Sequence, residues 1–140
     1  MNENLRHITA SLLVDAKGLT EDEVTKLTSH FSFQFPESYI DVIKFINGQE
    51  GEIGPDSWLC LFPLGELAKT NYDYRLLMKN IPDYFLIGKD AADTGYAFNK
   101  VKGTFHSFGL MSNFRTDSID FMGYDFYEFL ETLYTYRFVP

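Results

Sequence analysis

Apolar residues at helical spacing predict helices in both halves of the chain. Those within residues 5–14 predict a short first helix, and Thr20 with Glu23 forms a capping box that opens a second helix ending near residue 30. A proline then starts the third helix, 37–47, whose wide apolar face ends in Asn-Gly. Residues 125–136 carry apolar side chains at i, i+3, i+4, i+7 and i+8, which predicts a C-terminal amphipathic helix.

The middle of the chain alternates short apolar runs with turn residues, a pattern typical of strands. The segment from Gly51 to Ser57 is predicted to be turn-rich, and residues 113–118 are predicted to be a loop. Short helical segments are expected over 64–71 and 72–78. The predicted strands are 58–62, 84–88, 95–99, 104–108 and 119–122.

The order of these elements is helices, then mostly strands, then one helix. Strands segregated from helices favour the α+β class with an antiparallel sheet over a doubly wound parallel one. We therefore predict a sheet of about five or six strands. The helices at 37–47 and 125–136 are expected to pack against it.

Composition favours a single domain over residues 1–140. The chain has 140 residues, is 45% hydrophobic and contains 14 Phe and nine Tyr, enough to build a sizeable core. The one cysteine, Cys60, excludes an internal disulfide framework and favours a reducing compartment. The start lacks the basic and apolar regions of a signal peptide, and no apolar run is long enough to span a bilayer. The expected location is the cytoplasm.

Net charge narrows the classes of partner. Twelve Lys and Arg against 20 Asp and Glu give a net charge of −8, and no basic run is present. Direct binding of nucleic acid or of an anionic membrane is therefore not expected, because both need clustered Lys and Arg. A basic protein partner fits the sign of the charge, although solubility alone also explains it.

Residue types that carry catalysis or bind metals are scattered. His7, His30 and His106 have no ligand spacing, and Cys60 lies in an apolar strand where a thiol is normally inert. The segment 90–95 lacks the ligand pattern of an EF-hand, and no nucleotide-binding or serine-hydrolase motif occurs. We expect no catalytic residues, no metal and no cofactor, and a small enzyme is the least favoured interpretation.

Acidic and tyrosine side chains near predicted turns are the candidates for partner binding. Loops usually carry recognition, and tyrosines supply contact area at interfaces. Ordinary surface chemistry explains the same residues, so both interpretations remain open. The candidates are Glu50, Glu52, Asp56, Asp90, Asp93, Tyr72, Tyr74 and Tyr96, with Asp117 and Asp120 bordering a further turn.

Five motifs in order resemble the SUKH superfamily over roughly residues 20–135. A Leu-Pro-x-x-Tyr opening and an Asn-Gly helix end have counterparts in Phe35–Tyr39 and Phe45–Gly51, with Phe35 in place of the usual Leu. Ala-Ala-Asp stands at 91–93, where the family often has a glycine-rich turn. The remaining matches are Trp58–Leu67, Leu86–Gly88 with Gly95–Asn99, and Phe126–Leu130.

The resemblance implies an α+β domain without catalytic residues. Bacterial members of that superfamily are largely regarded as immunity proteins that bind and neutralise toxins, often nucleases. Fungal relatives regulate cell-wall glucan synthesis through protein binding. The leading hypothesis is an immunity protein whose partner is a basic toxin domain, and the alternative is a regulatory or scaffold domain that binds another protein.

Overall fold

The computed structural model describes residues 1–114 and 117–140. Its helices agree closely with the predicted ones. The predicted first helix is divided at Thr9, because the Thr9 hydroxyl donates to the Leu5 carbonyl at 2.6 Å and competes with the helical ladder. The Thr20–Glu23 capping box is present at the start of α3. The helices are α1 (Glu3–Ile8), α2 (Ala10–Leu13), α3 (Glu21–Thr28), α4 (Glu37–Ile46), α5 (Leu67–Asp73), α6 (Arg75–Met78) and α7 (Phe126–Thr135), with a 3-10 turn at Leu64–Glu66.

Six antiparallel strands form one sheet in chain order, which confirms the predicted α+β class. The turn-rich prediction for 51–57 is confirmed for residues 53–57 and wrong for residues 51 and 52, which belong to the first strand, Glu50–Glu52. Its Glu-Gly-Glu sequence has no apolar alternation to reveal it. The strands are β1 (Glu50–Glu52), β2 (Trp58–Leu61), β3 (Tyr84–Lys89), β4 (Thr94–Asn99), β5 (Phe105–Gly109) and β6 (Asp120–Gly123).

The loop predicted over 113–118 can be assessed only in part. Residues 115 and 116 lie outside the described residues, and the other four belong to neither a helix nor a strand. No helix in the described part of the chain is long and apolar enough to cross a membrane.

The two faces of the sheet carry cores of different size. On one face Phe85, Tyr96, Phe98 and Phe105 pack with buried residues of α1 to α4 and α7 in the main core. The opposite face carries a smaller cluster, which includes Met78, Ile81, Leu86, Ala97 and Phe108. Side chains alternate across a strand, so β3, β4 and β5 each contribute to both clusters.

Tyr39 of α4 lies in the main core and is fully buried. Its ring contacts Phe98 and Phe126, at centroid distances of 6.1 and 5.3 Å. Its hydroxyl has no hydrogen-bond partner in the described part of the chain. Burial therefore raises the pKa of Tyr39, because a phenolate there would be poorly solvated.

We expect Tyr39→Phe to leave the free energy of unfolding unchanged or to raise it by about 1 kcal/mol, because it removes an unsatisfied buried donor. Urea denaturation measures the change. The matched control is Tyr127→Phe, whose hydroxyl donates to Asp41 at 2.7 Å and whose removal should cost about 1 kcal/mol. A larger loss for Tyr39→Phe than for the control would contradict the expectation.

Candidate functional site

An open groove of about 670 Å³ lies at one end of the sheet, on the face of the main core. Because the strands are antiparallel and adjacent in chain order, the β1–β2 turn, the β3–β4 turn and the start of β6 all lie at this same end. Those segments and the C-terminal end of α7 form the walls. Tyr96 and Ser107, cross-strand partners on β4 and β5, form the floor.

Side-chain hydrogen bonds attach α7 to two of the other walls. The Ser57 hydroxyl in the β1–β2 turn donates to the Leu133 carbonyl at 2.7 Å. The Thr132 hydroxyl donates to the Met122 carbonyl of β6 at 2.8 Å. Both bonds are partly buried, so the width of the groove is set by fixed contacts and not by loose loops.

The β1–β2 turn approaches the chain at the end of α7 very closely. Gly54 has φ +72°, and a Cβ at this position would overlap the Tyr134 carbonyl group. The neighbouring Asp56 carboxylate accepts from the Phe138 backbone N–H at 2.9 Å. This bond holds the segment after α7 along the rim of the groove.

The β3–β4 turn is ordered by its own acid. One oxygen of the Asp90 carboxylate accepts from the backbone N–H of Ala92 at 2.8 Å and of Thr94 at 3.0 Å, an Asx-type turn. The Asp90 N–H also donates to the Thr94 carbonyl at 2.9 Å. The second carboxylate oxygen has no such bond within the described residues and is available to a ligand.

The groove is strongly acidic. Four carboxylates line it, those of Glu52, Asp56, Asp90 and Asp120, and among the described residues no Lys or Arg side chain does so. The described residues form two ion pairs, Lys44–Glu21 and Lys69–Asp73, and both lie outside the groove. Burial, and then the nearby Asp90 charge, raise the pKa of Tyr96, so its hydroxyl stays protonated. A cationic ligand would therefore be favoured here.

Four of the eight predicted binding residues meet in this groove: Glu52, Asp56, Asp90 and Tyr96. Tyr96, predicted to supply contact area near the turn, is instead a buried floor residue on β4, and its ring packs against Phe129 at 5.2 Å.

The other four do not line the groove. Glu50 lies on β1 and accepts from the Trp58 indole N–H at 3.1 Å. Asp93 borders a separate shallow depression next to Asp117. Tyr72 is exposed on α5, and Tyr74 packs against the smaller cluster on the opposite face.

Sequence reasoning missed part of the groove. Ser107 and Tyr136 line it, and neither was a candidate. Alternation along β5 would have placed Ser107 on the face of Phe105, but nothing in the sequence distinguishes that face as a binding surface. Asp120, predicted only to border a turn, contributes the acid from β6.

The groove acids do not form a metal site with the cysteine or the histidines in the described part of the chain. The described residues contain no group of three or more His, Cys, Asp or Glu placed to hold a metal ion. Burial, and then Glu50, raise the pKa of Cys60, which disfavours its nucleophilic thiolate form. Burial lowers the pKa of His106, whose ring is hydrogen-bonded to the Thr104 hydroxyl at 2.7 Å.

A six-stranded antiparallel sheet backed by helices, with an open acidic groove at one end, defines a small α+β binding domain. The sequence profile of the SMI1 / KNR4 family (SUKH-1) matches residues 18–132, so the chain belongs to this family. This membership supports a protein-binding domain, and members of the family are generally non-catalytic. No curated protein matches the chain.

Proposed function

We propose that this protein is an immunity protein that neutralises a toxin in the cytoplasm by covering a basic surface of it with the acidic groove. The observation that carries the proposal is the gathering of Asp56, Asp90 and Asp120 in one groove without a lining Lys or Arg among the described residues. Unpaired acids at a concave surface favour a basic partner through charge complementarity.

The groove also has the aromatic components of a protein interface. Trp58 is half-buried on one wall and Tyr136 is exposed on another, and both line the groove. Trp and Tyr are enriched among residues that dominate binding energy. The net charge of −8 would additionally accelerate the encounter with a basic toxin.

The test is binding to the products of genes that flank this one, measured by pull-down and then by calorimetry. The wild type is compared with Asp56→Asn/Asp90→Asn/Asp120→Asn, in which each carboxylate becomes an isosteric amide. We expect the triple variant to bind a basic toxin at least about tenfold more weakly, with a flatter dependence on salt.

A matched control removes three charges outside the groove, with Glu50→Gln, Asp83→Asn and Asp93→Asn. It has the same net charge as the groove variant, so long-range attraction falls equally in both. If the control variant loses as much affinity as the groove variant, the groove is not the interface. Binding to a cell-wall synthesis protein instead of a toxin would favour the regulatory alternative.

A further inference from the structure

We propose that the groove binds a single arginine side chain, with its guanidinium over Tyr96 and Ser107 and between the carboxylates of the walls. That this arginine belongs to the protein partner rests on the proposed function. That the groove selects a guanidinium is a property of the isolated domain and can be tested separately.

The two floor hydroxyls carry the inference. The side chains of Tyr96 and Ser107 are only 5% and 8% exposed, and neither hydroxyl has a hydrogen-bond partner in the described part of the chain. Only the Tyr39 hydroxyl is both fully buried and unpaired among the described residues, so the small exposed parts of Tyr96 and Ser107 include their hydroxyls, which face the groove. A hydroxyl on an otherwise buried side chain that faces an open groove is placed to bond a ligand in the groove. Both residues line the groove, so a ligand with several hydrogen-bond donors could bond these two hydroxyls in place of solvent.

The acceptors surround the floor from separate elements. Asp56 projects from the β1–β2 turn, Asp90 from the β3–β4 turn and Asp120 from β6. Asp56 and Asp90 each use one oxygen in the bonds that shape the groove, which leaves the other available. A ligand must therefore offer donors in several directions at once.

A guanidinium meets this requirement better than an ammonium. It carries five N–H donors in a plane and stacks on aromatic rings, whereas an ammonium offers three donors from one point. Trp58 and Tyr136 supply aromatic surface on the walls. A metal ion is a poorer match, because no acid cluster in the described residues has metal-binding geometry.

The experiment titrates the ¹⁵N-labelled full chain with N-acetyl-arginine-N-methylamide, followed by NMR. The same titration is run with the lysine analogue and with the citrulline analogue, which is a neutral isostere of arginine. We expect saturable shifts at the amides of Tyr96, Ser107 and Asp90 with the arginine compound. The lysine compound should bind at least fivefold more weakly, and the citrulline compound should cause no saturable shift.

Two conservative variants test the floor. Tyr96→Phe and Ser107→Ala each remove one hydroxyl, and each should weaken arginine binding at least threefold without changing the unfolding midpoint. Tyr72→Phe, outside the groove, is the control and should bind as the wild type does. If one of the two floor substitutions disturbs the fold, the other still tests the role of the floor hydroxyls.

Equal shifts with arginine and lysine would overturn the inference, because they indicate a general acidic surface. Saturable shifts only at amides outside the groove, or no saturable shifts at all, would also overturn the inference. These failures are distinct from failure of the proposed function. If the arginine titration fails but the triple variant still binds the toxin more weakly than the wild type, the groove remains the interface and only its selectivity for arginine is rejected.

Discussion

Phe98→Ala is expected to lower the free energy of unfolding by about 3–5 kcal/mol, the largest effect we predict for any substitution in this chain. Phe98 lies on β4, is fully buried and contacts five aromatic rings at centroid distances of 5.5 to 6.1 Å. These rings come from the segment before α4, from α4 itself, and from β3 and β5. The truncation therefore opens a cavity where helices and sheet meet.

Urea denaturation measures this loss, and Phe121→Ala is the matched control. Phe121 lies on β6, is 50% exposed and contacts His106 and Tyr124 on the opposite face of the sheet. Its truncation should cost about 1 kcal/mol or less, because surface substitutions leave no sealed cavity. Similar losses for the two variants would mean that the aromatic cluster is not the centre of stability.

Gly54→Ala is expected to lower the free energy of unfolding by about 2–4 kcal/mol, through backbone strain and a steric clash together. Gly54 has φ +72°, a region that costs an L-residue about 1–2 kcal/mol. The added Cβ would also overlap the Tyr134 carbonyl group, with its carbon at 2.9 Å. The clash pushes the β1–β2 turn away from the end of α7, so arginine binding in the groove should weaken as well.

Gly103→Ala separates the two contributions. Gly103 also has φ +72°, but a Cβ there meets nothing within 4 Å. We expect it to cost only the backbone strain, about 1–2 kcal/mol. If chemical denaturation gives equal losses at the two positions, the close approach at Gly54 contributes nothing to the fold.

Periodicity and capping predicted most of the elements, because these signals depend on near neighbours in the chain. The capping box at Thr20 and the amphipathic patterns of 37–47 and 125–136 each correspond to a helix. β1 was missed because its stability comes from pairing with β2 and contact with α2, which a three-residue sequence does not encode. The hydrogen bond from the Thr9 hydroxyl to the Leu5 carbonyl likewise divides the first helix, which periodicity alone predicts to be continuous.

The acids of the candidate site show where sequence reasoning stops. Asp56 and Asp90 were both predicted from their places in turns, but 33 positions of chain separate them. They meet because antiparallel strands in chain order return every second connection to one end of the sheet. Asp93, in the same turn as Asp90, borders a different depression. Turn composition cannot distinguish the two, since the direction of a side chain depends on the turn geometry.

The sequence by itself determined the α+β class, the positions of most helices and strands, the acidic charge and the resemblance to the family. These properties follow from local periodicity, composition and motif order, which do not depend on contacts between residues far apart in the chain. Only the tertiary structure decided which acids share a groove and that Tyr96 and Ser107 form its floor. The physical reason is that the direction of a hydroxyl and the convergence of charges depend on packing between residues far apart in the chain.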